Sequence, residues 1–116
     1  MILHDRQVRM AFPVGAMQDV AKLCPNRDIR RISELFNLDD EAGFDFGLAV
    51  KLAAILSYWG EEQYAFFHKG YEAQPFTEHE LNLLSTDEIR DLFMEVMNAI
   101  TNGNKTEVET ESPKKQ

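Results

Sequence analysis

The sequence predicts a mainly helical protein: a compact domain of about five helices over residues 1–100, a short N-terminal β-hairpin, and a disordered tail over residues 101–116. Three observations carry this. The stretch "FTEHELNLLSTDEIRDLFMEVMNAI" holds two helix-start signatures and a helical apolar stripe, "FGLAVKLAAILSYW" is apolar nearly all round, and "TNGNKTEVETESPKKQ" has one large apolar residue and no period. A chain of 116 residues with 44% apolar and 28% charged residues can bury one core and has the composition of a globular protein.

At the N-terminus, Val8, Met10 and Phe12 alternate with Gln7, Arg9 and Ala11, a period of two that fits a half-buried strand. His4-Asp5 would be the hairpin turn, without the glycine a tight turn favours. After Pro13 the period becomes helical. Met17, Val20, Ala21 and Cys24 share one face of a helix over 14–24, which Pro25 stops. Asn26 fits as the N-cap of a second short helix, with Ile29, Ile32, Leu35 and Phe36 inward and Arg27, Arg30 and Arg31 outward. The acidic "NLDDEAG" reads as a loop.

The segment from Phe46 to Trp59 predicts a central helix covered on most sides, ended by Gly60 in a left-handed cap. The next stretch reads as one short helix and an aromatic loop. Thr77 with Glu80 and Ser85 with Glu88 then each match a capping box, with Phe76–Leu81 and Leu84–Ile89 as hydrophobic staples. Ile89, Leu92, Phe93, Val96, Met97 and Ile100 form the stripe of the last helix.

The formal charge is −8, from 12 basic and 20 acidic residues, and the tail's three lysines and three glutamates cancel, so all of it lies on the first 100 residues. Such a body repels phosphate backbones and disfavours nucleic-acid binding. No run approaches the roughly 18 apolar residues of a membrane span, and the N-terminus is charged where a secretory signal is apolar. A cytoplasmic location with no membrane partner is expected. Cys24 has no second cysteine to pair with and reads as a small buried hydrophobe.

No catalytic, cofactor or metal site is legible. His4, His68 and His79 are far apart, "EHE" lacks the second histidine of the metalloprotease helix, and the six glycines are scattered as punctuation. The pairs Asp39-Asp40 and Glu61-Glu62 read as solvated charges in loops or helix starts. An enzyme is not expected, and no cofactor. The aromatic group Tyr58, Trp59, Tyr64, Phe66, Phe67, Tyr71 and Phe76 exceeds what a small core easily accommodates. Trp59, Tyr64, Phe67, Tyr71 and Phe76 are the candidate partner-binding residues.

The order of parts resembles the tail assembly chaperones of long-tailed bacteriophages and prophages: "RQVRMAFPVGAMQDVAKL", then "LAVKLAAILSYW", then "PFTEHELNLLSTDEIRDLFMEVMNAI", then a polar tail ending "ESPKKQ". Family members often carry a longer hairpin with an Asn-Gly turn, where this chain has His4-Asp5. The resemblance implies a non-enzymatic helical protein in the cytoplasm of a bacterial host. Such a protein forms homo-oligomers, shields the tape measure protein while tail tube protein polymerises around it, and is absent from the mature virion. It also implies that a ribosomal frameshift near "SPKKQ" could give a longer product. The competing reading is a small acidic regulator that mimics nucleic acid to block a DNA-binding protein; that would need its carboxylates on one rigid face, whereas the sequence spreads them over loops and caps.

Overall fold

The computed structural model describes residues 1–36, 39–40 and 43–103. Four α-helices dominate: α1 (Val14–Ala21), α2 (Phe46–Phe67), α3 (Glu78–Leu81) and α4 (Thr86–Gly103). Two 3-10 segments, Pro25–Arg27 and Ile29–Phe36, connect α1 to the centre of the chain. Strands β1 (Ile2–Leu3) and β2 (Arg6–Gln7) pair antiparallel, as do β3 (Asp39–Asp40) and β4 (Gly43–Phe44). The mainly helical fold with an N-terminal hairpin is thus as expected; the β3–β4 pairing replaces part of the predicted acidic loop.

The hairpin turns on His4 and Asp5, at φ 48° and 68°. Both sit in the left-handed region that a two-residue primed turn demands, and Asp tolerates it better than most residues without glycine. Val8 closes the hairpin by donating its N–H to the Met1 carbonyl at 2.9 Å. The chain from 8 to 13 forms no strand pairing among the described residues. It lies instead across α2, where the Ala11 N–H meets the Leu56 carbonyl at 3.4 Å.

That crossing explains why α2 does not stop at Gly60. The helix runs 22 residues, to Phe67, and Gly60 is buried inside it. A Cβ there would lie 2.2 Å from the Arg9 carbonyl oxygen, so the glycine is a site of backbone-on-backbone contact rather than a cap. Its helix penalty of about 1 kcal/mol is outweighed by the packing it permits. Gly15 plays the matching part on α1: a Cβ would fall 2.4 Å from the Trp59 ring. The Trp59 Nε1–H donates to Asp19 Oδ2 at 2.8 Å, fixing α1 against α2.

α1 itself ends at Ala21, three residues before the predicted stop, and finishes in turns. Its inward face includes Ala16, with Val20 and Cys24, whereas Met17 is more than a third exposed. Asn26 is not an N-cap. It takes φ 57° inside the first 3-10 segment, and Asp28 instead accepts the Arg30 N–H at 3.0 Å. The second segment buries Leu35 and packs Ile29, Ile32 and Phe36 against the core. The spacing 29, 32, 35 is a period of three, which lines up along one edge of a 3-10 helix.

Asp45 caps α2 by accepting the Leu48 N–H at 3.0 Å. The helix then buries Ala49, Val50, Leu52, Ala53 and Leu56 against α1, α3 and α4, as an element apolar on all sides must. α4 buries Ile89, Leu92, Phe93, Val96 and Ile100. It continues through Gly103, so residues 101–103 belong to the helix and not to a tail; a Cβ on Gly103 would meet the Phe12 side chain at 2.5 Å. The remainder of the predicted disordered tail, 104–116, lies outside the described residues. Among the described residues no helix is long and apolar enough to cross a membrane.

Both capping boxes form. Thr77 Oγ1 accepts the Glu80 N–H at 3.1 Å while Glu80 Oε1 accepts the Thr77 N–H at 2.9 Å. Ser85 and Glu88 repeat the exchange at 3.2 and 2.9 Å. In each glutamate the second oxygen is used as well. Glu80 Oε2 meets Arg6 Nη1 at 2.9 Å, and Glu88 Oε2 meets His4 Nε2 at 2.7 Å. The N-terminal hairpin is therefore fastened to the α3–α4 corner through the two carboxylates that cap it.

Candidate partner-binding surface

The second half of α2 positions most of the predicted residues, and its two buried polar side chains decide what surrounds them. Ala53, Ser57 and Glu61 are spaced four apart and share one buried stripe. Ser57 Oγ accepts the Phe76 N–H at 2.9 Å, and Glu61 Oε1 accepts the Gln74 N–H at 3.0 Å. The loop from α2 back to α3 is thus held by side chains of the helix it leaves, which satisfies backbone donors that no helix or strand serves.

Glu61 is 2% exposed, so the expectation of a solvated carboxylate is corrected. Burial alone would raise its pKa. Hydrogen bonds from Tyr71 Oη, the Gln74 N–H and Arg9, with the Arg9 charge, outweigh that and hold the carboxyl below its ordinary value. Arg9 Nη1 lies 3.2 Å from Glu61 Oε2 and 3.1 Å from Tyr71 Oη. Its guanidinium is also packed 4.0 Å from the centre of the Tyr64 ring and 5.1 Å from that of Tyr71. The bond to Glu61 and burial together push the Tyr71 hydroxyl above its usual pKa.

The five predicted partner residues therefore do not form one surface. Phe76 is 8% exposed, belongs to the core and carries the Arg6 guanidinium 3.9 Å above its ring; it presents no surface to a partner of the folded chain. Trp59 is half-buried and engaged with α1. Tyr64 is half-buried between Arg9 and His68, whose ring stacks on it at 3.7 Å, and Tyr71 is half-buried against Glu61. Phe67 stands free at 71% exposure, beside Phe66 at 81%. The two rings meet edge to face with centroids 5.0 Å apart.

Phe67 forms part of an open groove of about 760 Å³. The 8–13 segment runs along it with Met10 and Phe12, α2 contributes Tyr64 and Phe67, and α4 contributes Glu95 and Ala99. Amides of Gln63, Asn98 and Asn102 line it as well. The groove can take apolar side chains along its floor and hydrogen-bond polar atoms at its edges, as a polypeptide offers both. Among the described residues no group of histidine, cysteine or acidic side chains could hold a metal ion.

Sequence reasoning missed Arg9 and Glu61 because the helix was expected to end at Gly60. With the helix extended, the i, i+4, i+8 series Ala53, Ser57, Glu61 places a carboxylate on the buried stripe, which is the signal that would have found it. Comparison with protein families, with curated proteins and with solved structures finds no match to this chain.

Proposed function

We propose that this protein is a non-enzymatic tail assembly chaperone of a long-tailed phage or prophage. It self-associates, binds the tape measure protein in the host cytoplasm while the tail tube protein polymerises, and is left out of the finished virion. The observation that carries the binding role is Phe67, exposed at 71% in the wall of an open groove. A large aromatic side chain left in water at a concave surface supports a polypeptide-binding role. The assignment to tail assembly rests on the order of parts: hairpin, short helix, central apolar helix, capped corner and amphipathic last helix. A longer product made by frameshifting near "SPKKQ" belongs to the same proposal.

Inspection of the neighbouring genes for tail components, and co-expression with the tape measure protein found there, test the reading. The client is expected to stay soluble and to copurify, and Phe67→Ser to reduce recovery several-fold. A client that precipitates equally with and without the protein, or neighbouring genes that encode no tail components, would sink it.

A further inference from the structure

We infer that the groove between the 8–13 segment, α2 and α4 receives the end of α2 and the turn after it from a second copy of this chain, with Phe66 as the apolar plug and Lys69 as the cation that meets Glu95. The inference rests on the self-association in the reading above and names its surface.

The socket carries one unanswered charge. Glu95 is half-buried on the groove wall and has no ion-pair partner among the described residues. A carboxylate in the same groove as the apolar Met10, Phe12 and Phe67 favours an occupant that brings a cation together with apolar surface. The end of α2 and the turn after it offer that combination. Neighbouring positions on a helix point about 100° apart, so with Phe67 turned to its own groove, Phe66 faces away from it. Phe66 is 81% exposed, and Lys69, three residues on, is exposed and without an ion pair among the described residues.

Charge argues for the same occupant. Two bodies of −8 repel, and contact between copies is least opposed where a cation of one meets an anion of the other. Plug and socket share one chain and meet at the C-terminal end of α2, where Phe66 adjoins Phe67, which permits either a reciprocal pair or a head-to-tail series. One buried aromatic side chain on each side makes a small contact, so the association is expected to be weak.

Sedimentation equilibrium of the intact chain, from about 10 μM to about 1 mM, the range where weak contacts appear, reads it directly. The mass is expected to rise with concentration above the 13.4 kDa monomer. Phe66→Ser and Lys69→Glu, both at exposed positions where folding is insensitive to substitution, are expected to weaken association about tenfold or more. Lys69→Glu combined with Glu95→Lys should regain most of it. A monomer throughout, an unchanged constant in Phe66→Ser, or a double variant no tighter than Lys69→Glu alone overturns the inference. Client solubility is scored separately: a monomer that still protects its client would remove this contact and keep the chaperone reading, and an associating protein that does not protect would do the reverse.

Discussion

Glu61 shows how one side chain can set a protein's response to acid. Its carboxyl is held below the ordinary value, so the stability it contributes is complete above the unfolded-state pKa and is lost as pH falls through the folded one. Resistance to urea should therefore drop below about pH 5. Glu80 and Glu88, also lowered, chiefly by the backbone hydrogen bonds from Thr77 and Ser85, add to the same slope. Glu61→Gln should flatten that slope only in part, read from urea midpoints at neutral and acidic pH. Glu61→Ala leaves the Gln74 N–H and the half-buried Arg9 without their carboxylate acceptor, and should lower neutral-pH stability by about 1–3 kcal/mol. A loss under about 1 kcal/mol would show that water reaches Arg9. None of this is visible in the local sequence, where "EEQ" looks like any solvated helix turn. The burial of Glu61 is set by Arg9, 52 positions away.

At the scale of elements, what is written locally was legible and what depends on a distant neighbour was not. The α4 stripe and both capping boxes need only residues within a few positions of each other, and they stand where the sequence puts them. Thr77→Ala and Ser85→Ala should each cost about 0.5–2 kcal/mol in a chemical denaturation series. Gly60 could not be read in this way, because a helical glycine packed under another backbone and a glycine ending a helix have the same letter. Gly60→Ala tests the contact. A helical glycine with open space around it would gain about 1 kcal/mol from the helix propensity of alanine. Here the new methyl group meets the Arg9 carbonyl, so overpacking should turn the gain into a loss of about 1–3 kcal/mol. A stabilised variant would show that the 8–13 segment is free to shift. The candidate surface was legible to the same degree: the aromatic-rich region was found, but which rings are spent inside depends on Arg9, Gly15 and Ser57.

Across the whole molecule, the N-terminal segment acts as a strap. It touches the α3–α4 corner through His4 and Arg6, the middle of α2 through Arg9, and the end of α4 through Phe12. The boundary of the folded body follows from the last of these contacts. Truncation after Ile100 removes the helical turn on which Phe12 rests, while truncation after Gly103 keeps it. The longer version should melt higher, and equal melting temperatures would place the true end of the body at Ile100.

The double use of Glu80 and Glu88 also bears on how the protein opens. Ordinarily a hairpin and a helix corner fray separately, each at its own small free energy. Here the carboxylate oxygens tie them together, one oxygen on the corner and the other on the hairpin. Hydrogen exchange should therefore find the amides of Val8, Thr77 and Ser85 becoming accessible as one unit, with matching protection. Glu80→Ala with Glu88→Ala should split that unit, leaving Val8 to exchange earlier than the core of α4.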